Sequence, residues 1–143
     1  VLRLRHLILV AACLSCSQEP PASEPRLVAA GVDGLVVLLA PPGSEGTISV
    51  LARTREGRLL ALVARDLADP VVADLGARRE LAFRFEPDQL VGAGESFVLE
   101  ARHDPDGVPS TNEPGSASQR RLVAPGARQL RFELESQPLA AER

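Results

Sequence analysis

Three groups of residues have side chains of the types that do chemistry. His103 is followed directly by Asp104. An imidazole titrates near neutral pH, and a neighbouring carboxylate can fix its tautomer, so the pair has the parts of a proton-transfer site. His6 is the other histidine and lies in the leader, so a Ser-His-Asp or Cys-His site in the mature chain would have to use His103. No Gly-x-Ser-x-Gly elbow accompanies it, and the Ser and Thr residues fall mainly in turn-like stretches. His103 therefore reads as a solvated residue at the end of a strand. Asp104-Pro105-Asp106-Gly107 resembles the opening of a calcium loop, with spaced carboxylates before a glycine. In a loop of about twelve residues the closing bidentate acid would fall at Gly115, which has no side chain to offer, so a plain β-turn is expected. Cys13 and Cys16 form a Cys-x-x-Cys. A redox pair belongs where a strand meets a helix N-terminus and the helix dipole lowers the thiol pKa, whereas this pair lies in a leader. Ser17 stands where haem attachment needs His, and two cysteines without neighbouring ligands make a poor metal set. No catalytic residue, cofactor or metal is expected.

The cysteines instead mark an address. Arg3, Arg5 and His6 precede the apolar run from Leu7 to Ala12, which is the order of a secretory signal. The run is too short to cross a bilayer, which takes about 20 apolar residues. Val10-Ala11-Ala12-Cys13 resembles a lipobox, so residues 1–12 are expected to be a lipoprotein signal peptide and Cys13 the acylated residue, with Cys16 as the alternative acceptor. The first residue is Val, which fits a non-standard start codon or a truncated leader. Residues 13–26 contain the Pro-rich stretch Ser17 to Pro25 and read as a tether with nothing to bury. The expected location is the periplasmic side of a bacterial membrane, inner or outer left open.

Composition narrows the partners. Every cationic side chain is Arg, and removing Arg3 and Arg5 from the 16 leaves 14 against 19 acids, a net charge of −5. Nucleic-acid binding draws its affinity from clustered cations that release counterions, so that class is excluded, and the absence of Trp and Tyr removes most stacking platforms. Charges of both signs alternate along the domain, as on an ordinary solvated surface.

The elements that would position any site are short strands. Ile48, Val50 and Ala52 alternate with Ser49, Leu51 and Arg53, and Leu81, Phe83 and Phe85 alternate with Ala82, Arg84 and Glu86. Phe97, Leu99 and Ala101 repeat the pattern, as do Leu130, Phe132 and Leu134. All four Phe thus fall on inward positions and are expected in one core. Leu35 to Leu39 and Leu59 to Val63 are continuously apolar, which fits strands covered on both faces or paired centrally. A further strand through Arg121 to Val123 brings the number to about seven, with Gly- and Pro-containing turns between them. The expected fold is an all-β antiparallel sandwich over residues 27–136, followed by a tail at 137–143.

The strand sequences Gly46 to Arg53, Leu60 to Arg65, Leu81 to Phe85 and Val98 to Arg102, with Pro114-Gly115 and Val123 to Ala127, resemble the C-terminal β-domain of the cytochrome c maturation protein CcmI (CycH). In that family the domain follows a membrane anchor and a tetratricopeptide region; this sequence shows neither transmembrane helices nor helical repeats, which would leave the β-domain alone on a lipid anchor, so no functional residue carries over. Ala68-Asp69-Pro70 and Phe83 to Glu86 are also similar to the YbaY/YscW lipoproteins, whose type III secretion members act as pilots or chaperones. With the lipobox-like leader and the lack of a catalytic set, the expectation is a membrane-anchored, non-enzymatic envelope module that binds or assembles a protein partner; the resemblances imply a link to cytochrome c maturation or, alternatively, a pilot or chaperone role in a secretion system. A small envelope enzyme using His103 is the rival expectation.

Overall fold

The computed structural model describes residues 30–108 and 116–136, which form eight strands and one short 3-10 helix. In chain order these are β1 (Val32–Leu39), β2 (Thr47–Arg53), β3 (Leu59–Asp66), β4 (Ala73–Asp74), β5 (Arg78–Phe85), the 3-10 turn Pro87–Leu90, β6 (Phe97–Asp104), β7 (Ala117–Val123) and β8 (Leu130–Glu135). They make two four-stranded sheets, β4-β5-β1-β8 (sheet A) and β3-β2-β6-β7 (sheet B). The fold is the all-β sandwich that the alternating sequence implies.

Period-2 alternation fixes the register, because a one-residue slip would turn every apolar side chain to water. Val50 lies opposite Val63 on one side and Ala101 on the other, so the apolar sets of β2, β3 and β6 share one face. Leu81, Phe83 and Phe85 of β5 meet them from sheet A with Val32, Val36 and Leu38. Phe83, Phe85, Phe97 and Phe132 are all buried in this single core. The Phe83 ring sits 6.0 Å from that of Phe85 and 6.1 Å from that of Phe132, both tilted, as aromatic pairs prefer. Gly34 makes room for this cluster. A Cβ there would lie 2.5 Å from the Leu130 carbonyl oxygen and 2.7 Å from the Phe83 ring.

One pairing departs from the antiparallel pattern, since β1 and β8 run parallel. The cause is the crossover from sheet B to sheet A at residues 124–129, which is tied to the start of β1. Gly126 N–H donates to the Gly31 carbonyl, and the Asp33 carboxylate accepts from Gln129 N–H at 2.7 Å and from Arg128 Nη1 at 2.9 Å. The chain therefore enters β8 beside the entrance to β1, with Gln129 held at a left-handed φ of 54°. The Gln129 amide, and after it Arg128, lower the Asp33 pKa.

Two expectations about strands need correction. β1 is central, between β5 and β8, but β3 is an edge strand with β2 as its one neighbour among the described residues. Its continuous apolar run has another origin. The register slips between Ala52 and Arg53, a bulge at which Ala61 pairs with Ala52 and Leu59 with Arg53. Leu60 and Ala61 both pack against the core, while Leu59 and Leu62 are left 46% and 45% exposed. The second correction is that β7 begins at Ala117, well before Arg121, and that β4 adds a two-residue strand beside β5.

Candidate functional site

His103 is not solvated. It continues the inward series Phe97, Leu99 and Ala101 along β6 and is 1% exposed. Its Nε2 lies 3.1 Å from the Glu45 carbonyl oxygen, and Nδ1 has no hydrogen-bond partner. Asp104 does not orient the imidazole, because adjacent strand residues point to opposite faces. Its Oδ1 instead accepts from Arg102 Nη2 at 2.8 Å on the outer face of sheet B. The two residues that formed the candidate proton-transfer pair are thus separated by the sheet itself.

The turn after β6 has its own explanation. Gly107 N–H donates to the Asp104 carbonyl, closing a β-turn in which Gly107 takes a φ of 76°. Asp106 Oδ1 accepts from Val108 N–H and Asp66 Oδ1 from Ala68 N–H, so these carboxylates cap their own turns. Among the described residues no three His, Cys, Asp or Glu side chains are grouped to hold a metal ion. Gly115, Cys13 and Cys16 lie outside the described residues.

The outer face of sheet B carries a charge ladder that alternation alone would assign to water. Glu100, Arg102 and Asp104 occupy successive outward positions on β6, yet all three are buried. Arg120 of β7 reaches Glu100 at 3.1 Å, and Arg102 lies between Glu100 and Asp104. Burial raises the Asp104 pKa, with the hydrogen bond and charge of Arg102 acting against it. The ladder joins β6 to β7, with Glu100, Arg102 and Asp104 buried and Arg120 at its exposed end.

The sandwich edges differ in how they are closed. In sheet A, β4 covers β5 at Arg79 and Glu80. On β8, Arg121 Nη2 donates to the Arg131 carbonyl at 2.9 Å and Glu133 N–H donates to the Gln119 side-chain oxygen at 3.0 Å. Side chains of β7 thus occupy backbone groups that β8 turns away from β1. In sheet B, among the described residues, no strand lies on the far side of β3, and the 3-10 turn Pro87–Leu90 is the element that packs near it. Leu67 N–H donates to the Gly46 carbonyl, so Leu67, Arg65 and Val63 turn their backbone groups toward β2. By the alternation of an antiparallel ladder, Leu62, Ala64 and Asp66 turn theirs outward, the Asp66 carbonyl accepting there from Asp69 N–H at 2.9 Å. The Arg65 guanidinium fits this direction by donating at 2.8 Å to the Ala64 carbonyl. Carried across the registers, the same alternation points the backbone groups of Ser118, Arg120 and Leu122 off the free side of β7.

β3 is the candidate site. It is an eight-residue edge with apolar side chains along most of its length, whereas natural sheets blunt such edges with charge, proline or a covering element. Isolated backbone donors and acceptors in a row are what an incoming strand pairs with. Sequence reading missed this location because β3 looked central. The pair Leu59 and Leu62, both of which the bulge leaves facing out, was the available signal.

No family model and no curated protein matches the chain, so neither the CcmI nor the YbaY/YscW resemblance gains support there. Among solved structures, a fimbrial assembly protein from Parabacteroides distasonis is similar at a TM-score of 0.43 and 11% identity, over 73% of this chain. The chain spans about half of that protein, 51% of its length.

Proposed function

We propose that this chain is a lipid-anchored protein of the bacterial envelope that binds another protein by strand addition along β3 and catalyses no reaction. The observation that carries the reading is the row of outward backbone groups at Leu62 and Ala64, extended by the Asp66 N–H, on a largely apolar edge strand. Main-chain hydrogen bonds along such an edge supply affinity, and the flanking side chains supply specificity. The lipobox-like Val10-Ala11-Ala12-Cys13 and the Pro-rich tether support anchoring through Cys13, with the sandwich on the periplasmic side. The link to cytochrome c maturation, and the alternative link to a secretion system, rest on the strand-sequence resemblances alone. Against the rival enzyme, His103 is buried, is bound by the Glu45 carbonyl and is cut off from Asp104 by the sheet.

Ala64→Pro tests the reading. The Ala64 N–H points off the sheet, so proline removes a docking donor without taking a bond from the β2–β3 ladder, and proline is tolerated at such edge positions. Partners are to be recovered from solubilised membranes with the full chain and with the variant. Loss of an otherwise reproducible envelope protein from a folded Ala64→Pro chain is the expected result. Equal recovery by both chains would overturn the reading.

A further inference from the structure

We infer that the strand added to β3 is β7 of a second copy of this chain, so that copies join head to tail through sheet B. The inference rests on reading β3 as a docking edge and names its occupant. Among the described residues β3 and β7 are the two outer strands of sheet B, and they run in opposite directions because three antiparallel pairings separate them. A β7 laid against a neighbour's β3 therefore continues the sheet in its own antiparallel sense.

The register follows from the outward backbone groups. They belong to Leu62, Ala64 and Asp66 on β3 and to Ser118, Arg120 and Leu122 on β7. Directly opposite residues of an antiparallel pair exchange both their N–H and C=O bonds, so the favoured alignment makes two full pairs and adds the Asp66 N–H, the Asp66 carbonyl already accepting from Asp69 N–H. That alignment sets Leu62 opposite Leu122, Ala64 opposite Arg120 and Asp66 opposite Ser118. Sliding by two residues in either direction loses bonds from this set.

The side chains agree with this register. Leu62 and Leu122 both stand on the outer face of sheet B, 45% and 56% exposed, and would cover each other. The Asp66 carboxylate meets the Ser118 hydroxyl, with Arg120 on the diagonal. On the other face Arg121 lies opposite Val63 and Gln119 opposite Arg65, so no like charges are opposed. Self-pairing of β7 around Arg120 would instead set that arginine against its own copy, an unfavourable cross-strand pair. The Arg65 guanidinium is displaced from the Ala64 carbonyl, which then accepts from the incoming Arg120 N–H. The contact uses two different surfaces, so it leaves a β3 and a β7 free at the ends of each assembly for further copies.

Mixing two disabled variants tests the inference. Leu62→Glu places a charge on β3 and Leu122→Glu on β7, each at an exposed position that leaves the core intact. In detergent, the full-length wild-type chain is expected to sediment as an assembly of copies. Each variant alone is expected to lose it, and an equal mixture is expected to give one-to-one dimers through the surviving Leu122 of the first variant and Leu62 of the second. A wild-type chain that stays monomeric at all concentrations would overturn the inference, as would assembly surviving in Leu122→Glu but not in Leu62→Glu. Neither result touches Ala64-dependent capture of a different protein, so the broader reading stands or falls separately.

Discussion

The guanidinium of Arg121 lies 4.9 Å from the centre of the Phe132 ring, and the same side chain donates to the Arg131 carbonyl. Arg121 belongs to sheet B and Phe132 to sheet A, so this stack joins the two layers at the β7–β8 side. Arg121→Ala is expected to lower stability by about 1–2 kcal/mol, the sum of a partly desolvated cation–π contact and one hydrogen bond. Arg121→Lys keeps the charge and loses the planar stack, and is expected to recover less than half of that loss. Urea unfolding of the three chains is the measurement. An unchanged midpoint in Arg121→Ala would remove the stack from the account.

Gly34→Ala tests whether the aromatic cluster has any slack. The added methyl would meet the Leu130 carbonyl and the Phe83 ring, neither of which can move without disturbing the β1–β8 pairing or the core. A loss of about 1–3 kcal/mol is expected from such overpacking. Phe132→Ala, at a position with no exposure, is expected to cost about 3–5 kcal/mol. A neutral Gly34→Ala would mean that β1 and β8 are less closely apposed than described.

Asp33 and Asp104 give opposite pH dependences. Hydrogen bonds from Gln129 and Arg128 hold the Asp33 pKa down in the fold. A carboxyl with a lower pKa folded than unfolded stabilises the fold above its unfolded value of about 4, and that contribution is lost as the pH falls through the folded value. Asp104 is raised by burial, so its ionisation weakens the fold as the pH climbs from the unfolded value through the raised one. Asp33→Asn is therefore expected to lose less stability than wild type on acidification from about pH 5 to about pH 3. Urea midpoints across that range are the check, and a steeper loss in the variant would contradict the assigned sign.

Cys13→Ala is expected to abolish lipidation and membrane partition, while Cys16→Ala leaves both intact. Intact-mass spectrometry of each chain decides between them. A fully lipidated Cys13→Ala chain would move the anchor to Cys16.

The strands with strict alternation, β2, β5, β6 and β8, were legible because polar and apolar residues there take opposite faces, and the four Phe followed from the same rule. His103 was legible in principle, since it extends the inward parity of Phe97, Leu99 and Ala101 by one step. Its polarity suggested water, but a backbone carbonyl from Glu45 serves it inside. β3 was not legible as an edge. The bulge sends Leu60 and Ala61 to the core side together, and the resulting unbroken apolar run looks like a strand covered on both faces. Nor could alternation reveal that Glu100, Arg102 and Asp104 are buried while facing outward, because the ion pairs along β6 and to Arg120 of β7 that accompany their burial depend on the strand register.

Backbone amide hydrogen exchange on the full chain tests the docking edge most directly. In dilute detergent solution the amides of Leu62, Ala64 and Asp66 are expected to exchange fast, while those of Val63 and Arg65, bonded to β2, exchange slowly. At membrane concentrations, with the partner strand in place, the three fast amides are expected to become protected alongside their neighbours. Amides at Leu62, Ala64 and Asp66 that stay fast under both conditions would contradict the claim that this protein works through β3.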